Sequence, residues 1–441
     1  MEWWLIISLL FGGMVFLLLT NLPIAFAFLV VNMVGAYYFL GGMPGLVGVV
    51  TGAFTSITTF TLLPVPFFVL MGELIFHSGL GLNAVNVLDK WLGNLRGRLS
   101  LLAIIMGVII GALSGSTIAT CALLGSILLP QMLEKGYSKN MSLGPLMGVG
   151  TVDALIPPNA LTVVLASLAN IDVGQLLMAG IPAGIIMSAL YFLYVVLWVR
   201  IRPEEAPMYI APKVPLKEKL RVTLRDLIPL GFIIFLVIGL IFLGVATPTE
   251  SAAAGTFGAF VLAIFYRRLT WEIMKKSVMS TVKVTVMIFM IIIVSTTYGE
   301  LLAFTGAAAG MTGFITNLTI PPIIILIGML VVVLIMGCFM ETVAIMMITI
   351  PIYMPVVTAF GFNKIWFGVM MLIALETGLI TPPFGVTLFV MKGVAPPEVT
   401  MSDIWKAVTP YVVVDILCIA LVMAMPRIAT IVPSLMGSIA R

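Results

Sequence analysis

The chain has 441 residues, of which 61% are hydrophobic and only 9% charged, where a soluble domain carries about 25% charged residues. Apolar runs of roughly 18 residues or more, the length that spans a bilayer, recur throughout, and 22–40, 181–199 and 227–245 contain no charge. A soluble enzyme is excluded and an all-α polytopic membrane protein is implied; the net charge of +4 comes from short basic loops between apolar runs and does not point to nucleic acid.

No Lys or Arg precedes the first apolar run, so a cleavable leader is not expected and 5–19 reads as a retained first helix. Segment 81–98 contains Leu82, Val85, Leu88, Trp91 and Leu92 together with Asp89 and Lys90. That spacing suits an amphipathic helix lying in the inner interface, with 307–318 as its outer counterpart. Next come two apolar arms flanking Ala112-Leu113-Ser114-Gly115-Ser116-Thr117. At roughly 13–16 residues each arm is short for a crossing, so an inner re-entrant hairpin is expected at about 99–133. A helix at about 140–170 is interrupted by Ile156-Pro157-Pro158-Asn159, because proline removes a backbone donor and clashes with the preceding turn.

The polar stretch 202–226 reads as a cytoplasmic linker between a first half, 1–201, and a second, 227–441. In the second half an outer hairpin is expected at about 321–355, its tip at Cys338-Phe339-Met340-Glu341-Thr342. A helix at about 365–391 is expected to be broken over Glu376-Thr377-Gly378-Leu379-Ile380-Thr381-Pro382-Pro383. Freed carbonyls with Ser, Thr and carboxylate oxygens form a hard-oxygen environment suited to sodium, and helix N-termini at the hairpin tips face an anionic substrate.

The two halves align at a spacing of 225 residues: Pro130, Gly136 and Lys139 match Pro355, Gly361 and Lys364, Pro157-Pro158 matches Pro382-Pro383, and Pro23 matches Pro248. At 227, Gly72-Glu73-Leu74 and Gly79 match Gly299-Glu300-Leu301 and Gly306. With the N-terminus outside, 19 of the 22 basic residues fall on the inner face, and only Lys364, Arg427 and Arg441 lie outside. Both termini are then periplasmic, Lys139 and Lys364 lie on opposite faces, and the repeat is inverted, a mark of secondary transporters with sites at the repeat interface.

Cys121, Cys338 and Cys418 have no pairing or metal spacing, and the single histidine, His77, excludes a zinc site built on paired histidines. Ser116 has no nearby histidine, so hydrolytic chemistry is not expected. Ionisable residues within the membrane carry a functional default. Glu73 and Glu300 also suit anchoring of a hairpin, Glu250 suits a cap on a helix starting near Ser251, and His77 suits a local pair with Glu73 one turn away. Asp415 fits either a structural role or a subunit contact. Asp153 and Glu376, inside the broken segments, are the better site candidates.

Leu113-Ser114-Gly115-Ser116-Thr117-Ile118-Ala119-Thr120, Ala246-Thr247-Pro248-Thr249-Glu250-Ser251 and Glu376-Thr377-Gly378-Leu379-Ile380-Thr381-Pro382-Pro383-Phe384-Gly385 resemble the large membrane subunit, or permease, of tripartite ATP-independent periplasmic (TRAP) transporters over nearly the whole chain. The resemblance implies an elevator-type carrier in the bacterial or archaeal inner membrane. It implies sodium-driven symport of an organic anion (dicarboxylate, sugar acid or related carboxylate), with no cofactor and Na+ as coupling ion. The implied partners are a small four-helix membrane subunit and a periplasmic substrate-binding protein; no extra helices precede the first repeat, so a fused small subunit is not expected. The sodium sites so implied are Ser114, Gly115, Ser116 and Thr151 in the first half, and Gly337, Met340, Thr342, Thr377 and Thr381 in the second. The substrate candidates are Thr117, Asp153, Asn159, Glu341 and Glu376; Asp153 departs from that family's small or apolar pattern. The alternatives are a stand-alone divalent-anion/sodium symporter, distinguished by independence from a binding protein, and an ion channel, distinguished by conduction without saturation.

Overall fold

A computed structural model describes residues 2–20, 22–93, 95–208 and 214–439. Met1, Asn21, Lys213 and Arg441, and the side chains of Leu82 and Val85, lie outside the described residues. Among the described residues every regular element is helical, and eight helices are long and apolar enough to cross a membrane.

Trp3–Leu19, Ile24–Phe39, Met43–Ile57 and Pro64–His77 open the chain, followed by a short arm, Leu80–Leu92. The first hairpin is Arg98–Ser114 and Thr117–Glu134. Lys139–Gly148 and Ala160–Leu168 flank the first break, and the 29-residue helix Val173–Ile201 leads into the linker. In the second half Ile228–Phe242, Pro248–Phe265 and the 34-residue helix Trp271–Phe304 precede a second arm, Ala307–Thr316. The second hairpin, Pro322–Gly337 and Thr342–Ala359, is followed by Lys364–Ile380, a break, Val386–Val394, Met401–Ala424 and Arg427–Ile439.

Packing sorts these helices into two groups, each drawn from both halves. Pro64–His77 lies against Pro248–Phe265 and Trp271–Phe304, and the latter also packs on Ile24–Phe39 and Met43–Ile57. In the other group Met401–Ala424 packs on Lys139–Gly148, and Pro322–Gly337 on Lys364–Ile380. Lys364–Ile380 is buried on all sides from Trp366 onward, so protein rather than lipid surrounds it.

Local structure repeats at the matched positions. Gly136 (φ +79°) and Gly361 (φ +69°) end the hairpins in the left-handed region. The next residues close the same i→i−5 bond, Tyr137 N to the Met132 carbonyl and Phe362 N to the Val357 carbonyl, both at 3.0 Å. Ser138 and Asn363 then cap the following helices. Both diprolines contain a cis peptide bond, Pro157-Pro158 and Pro382-Pro383.

Several boundaries differ from the sequence reading. The hairpin arms hold 17 and 18 residues in the first half and 16 and 18 in the second, because Arg98–Ser114 runs on into its tip while Thr117–Glu134 and Thr342–Ala359 continue past Pro130 and Pro355. The first arm segment stops at Leu92, where Gly93 has φ +58°; Arg98 belongs instead to the hairpin, with its guanidinium 2.6 Å from Asp89. Glu250 does take part in capping, but from inside the helix. Pro248 occupies the first turn, Thr247 is the cap, and Glu250 accepts from the Thr247 backbone N–H at 2.8 Å in a capping box. The second break is shorter than expected, since helix continues to Ile380 and leaves Glu376 and Thr377 in a regular turn.

Beyond the end of the Val173–Ile201 helix, Glu205 ties the linker to the turn after the first hairpin. Its carboxylate accepts from Ser138 Oγ at 3.0 Å, Trp198 Nε1 at 3.1 Å and Arg202 Nη1 at 3.2 Å. Burial works against the charge, but these donors outweigh it and hold Glu205 below the usual carboxylate range. The stability this adds is complete above the unfolded-state pKa and is lost as pH falls through the lower folded-state value. Glu205→Gln should reduce unfolding stability by about 1 kcal/mol at neutral pH. It should also flatten the loss between neutral pH and about pH 3, as followed by unfolding in detergent across that range.

Candidate functional site

The turn of the first hairpin is made by two residues. Gly115 takes φ +60° to end one arm, and Ser116 caps the other by accepting from Ala119 N at 3.3 Å. Ser114 Oγ lies 2.9 Å from Thr120 Oγ1, which closes the tip on itself. The second tip, Cys338–Glu341, leads into Thr342–Ala359 without a side-chain cap from Glu341. Each tip is seated on the break of its own half. Thr117 Oγ1 is 2.9 Å from the Gly150 carbonyl, while a Cβ at Gly337 would fall 2.5 Å from Gly378 Cα, so the second hairpin and Lys364–Ile380 touch backbone to backbone.

Both tips open onto one cavity of about 420 Å³. Ser114, Gly115, Ser116 and Thr117 reach it from the first hairpin, and Glu341 and Thr342 from the second. Glu376 reaches it from Lys364–Ile380, and Glu73, His77 and Ser280 line it on the side of the first helix group. Thr117 joins three elements, because its hydroxyl also lies 2.5 Å from Glu376 Oε2. The other Glu376 oxygen is buried without a hydrogen-bond partner among the described residues. Gly72 lets the first tip approach, since a Cβ there would fall 2.7 Å from the Leu113 carbonyl. Glu73 and His77 form the local pair expected of them, 3.1 Å apart, and Ser280 Oγ donates to Glu73 Oε1 at 2.6 Å.

The remaining candidates lie off the cavity wall. Thr151 and Thr377 sit behind it in a buried network: Thr151 Oγ1 is 2.8 Å from Tyr191 Oη, Tyr191 donates to Asp415, and Thr377 donates to the other Asp415 oxygen at 3.2 Å. Asp415 is therefore internal and holds the two broken helices together, which decides between its two readings in favour of the structural one. Tyr191 carries no local sequence signal, being a polar group in an apolar helix, and Asp415 stands out only by being ionisable. Asn159 uses both ends of its amide, donating to the Asp153 carbonyl at 2.7 Å and accepting from Thr162 N at 3.0 Å. Thr381 donates to the Thr377 carbonyl at 2.7 Å, and Met340 is partly buried in the second tip. Asp153 is 2% exposed, and it faces Gly111 of the first hairpin.

Two helical hairpins with tips on broken helices and a shared cavity between them define the chain as a multi-pass helical membrane transporter. A family model described as "Tripartite ATP-independent periplasmic transporter, DctM component" matches residues 11–428, and the chain belongs to that family. It is 31% identical over 379 residues to a C4-dicarboxylate TRAP transporter large permease protein of Pseudomonas aeruginosa, covering 86% of this chain and 87% of that one. It is 30% identical to an isethionate TRAP transporter permease protein of Oleidesulfovibrio alaskensis, over 97% of this chain and 65% of that longer one. The crystal structure of the YdaH transporter of Alcanivorax borkumensis shares the fold, with a TM-score of 0.60 at 14% identity over 87% of this chain and 89% of that one.

A Cβ on Gly111 would lie 1.5 Å from Asp153 Oδ1, so Gly111→Ala must displace a buried carboxylate. Overpacking of this kind should cost about 1–3 kcal/mol. In the Asp153→Ala background the same substitution should cost less than half as much, a coupling that a double-mutant cycle of unfolding in detergent measures.

Proposed function

We propose that this chain is the membrane permease of a sodium-driven importer that takes an organic anion, a carboxylate or related acid, from a periplasmic binding protein and works beside a small membrane subunit. The observation that carries this reading is the meeting of the two hairpin tips at one cavity. Two helix N-termini, at Thr117 and Thr342, point their positive ends at the same space, which favours an anion. Yet Glu73, Glu341 and Glu376 line that space too. An anion enters such a site readily only when cations accompany it, and that requirement is coupling: each ligand favours the state the other has prepared.

Ser116 and Thr342 offer cavity-facing hydroxyls, and Thr342 Oγ1 has no hydrogen-bond partner among the described residues. Thr151 and Thr377 act from behind by fixing the breaks. A second cavity of about 410 Å³, lined by Ser56, Asn170, Ser295 and Pro351, separates the same two helix groups farther along Trp271–Phe304. Space at both levels suits a sliding, elevator-type exchange in which the hairpins and broken helices move against the other group. The same reading keeps the inverted halves 1–201 and 227–441 and places both termini in the periplasm. The names of the relatives extend the solute class to C4-dicarboxylates and sulfonates such as isethionate.

Sodium should raise the unfolding midpoint of the purified protein in a saturable way, relative to potassium or choline at equal ionic strength. The gain approaches about 2.7 kcal/mol at a hundred times the dissociation constant. Thr342→Ala and Thr377→Ala should each shift the response to higher sodium. Identical midpoints in all three salts would sink sodium coupling and leave the carrier fold standing.

A further inference from the structure

The helix Trp271–Phe304 presents one continuous face to two neighbouring openings that share His77 and Ser280 in their walls. Ser280, Val284, Met287 and Ile288 border the hairpin-tip cavity. Lys276, Met279, Ser280 and Lys283 border a second opening of about 470 Å³ nearer the helix start. His77 and Ser280 belong to both, and the spacing of three and four residues puts all these groups on one stripe. The path from the tips to the helix start therefore runs along this stripe, past the Glu73–His77 pair.

The charge along the path reverses. Carboxylates line it at the tips, and His77 and Ser280 are both engaged with Glu73. Beyond them come lysines. Lys276 is paired with Glu272 at 2.7 Å and sits in the first two turns, where the inward bias of basic residues explains it. Lys275 also borders this opening, and Glu272 lines it; Lys283 is set apart by standing one turn from Ser280, next to the tip cavity. It stands twelve residues after Trp271, about 18 Å along the axis. It borders the opening, and no carboxylate lies within ion-pair distance of it among the described residues. An exposed ammonium beside the tip cavity, left without a counter-charge, offers an attractive position to a departing anion.

We propose that Lys283 is an anion-receiving station on the cytoplasmic side of the hairpin-tip cavity. A carboxylate or sulfonate leaving the tips must pass Glu73, which repels it, and the Lys283 ammonium supplies the next attractive position before open water. This station rests on the reading of the chain as an organic-anion carrier and extends it by a residue and a place.

The charge of the route is measurable without any transported solute. Met279→Cys places a thiol one turn from Lys283 in the same opening. Its rates of modification by an anionic and a cationic methanethiosulfonate are compared in inside-out membrane vesicles, with the unsubstituted chain as background for the native cysteines. The anionic reagent should react faster. Lys283→Gln should lower the anion-to-cation rate ratio by about threefold to tenfold, and Lys283→Arg should preserve it. A ratio that Lys283→Gln leaves unchanged, or a thiol unreactive from this face, overturns the station. In proteoliposomes, succinate counterflow should slow about threefold or more in Lys283→Gln and recover in Lys283→Arg, with Lys406→Gln, outside the opening, as a control. Unchanged counterflow in Lys283→Gln also counts against the station. Failure of the unsubstituted protein to exchange succinate counts against the solute class alone, and the thiol ratio still decides Lys283.

Discussion

In hydrocarbon a backbone carbonyl or N–H without a partner is costly, because no water is at hand to replace a lost helical bond. Each interruption of a helix inside this protein has to be covered, and the coverage organises the hairpin-bearing half of the molecule. In the first break the Gly150 carbonyl lies against Thr117 of the hairpin, the Asp153 carbonyl receives the Asn159 amide, and the Ala154 carbonyl receives Thr162 Oγ1 at 2.7 Å. In the second, Thr381 covers the Thr377 carbonyl, and the Cys338 thiol approaches the Pro382 carbonyl. The hairpins are thus partners of the breaks, and neither would be stable at membrane depth without the other.

This dependence explains why the cavity lies where it does. A tip that covers a broken helix must come within hydrogen-bond distance of it, so the remaining face of the tip is turned toward the other hairpin. Small residues permit the approach: Gly72 under the first tip, and Gly337 against Gly378 under the second. The network Thr151–Tyr191–Asp415–Thr377 then locks the two breaks to each other through Val173–Ile201 and Met401–Ala424. Both halves of the chain contribute to one body behind the cavity, while Glu73, His77 and Ser280 belong to the group it faces.

Much of this was legible in the sequence, because proline, glycine and hydroxyl residues act on their immediate neighbours. Pro157-Pro158 and Pro382-Pro383 announced the breaks, Gly136 and Gly361 the hairpin ends, and Ser114-Gly115-Ser116 the first tip. Tertiary partners were not legible. The pairing of Tyr191 with Asp415 spans 224 residues, and nothing in either helix distinguishes it from an isolated polar residue. Glu376 was expected in an unwound segment, but its helix continues, since Thr381 and the prolines that stop it lie downstream. Asn159, a substrate candidate by its place beside the diproline, caps Ala160–Leu168 and covers the Asp153 carbonyl, a tertiary role that its local sequence does not reveal.

At the surface, the arm Leu80–Leu92 is stitched to the linker. Lys90 pairs with Glu218 at 2.8 Å, Trp91 donates its indole N–H to Thr223 Oγ1 at 2.8 Å, and Lys219 lies over the Trp91 ring. The arm is the covalent lead into the first hairpin, and the linker is the covalent lead out of Val173–Ile201, in the same body. Two tethers that reach the hairpin-bearing group at separate places are thereby fused into a single strap. A strap of this kind couples its two tethers mechanically, so strain applied to either one is shared by the other.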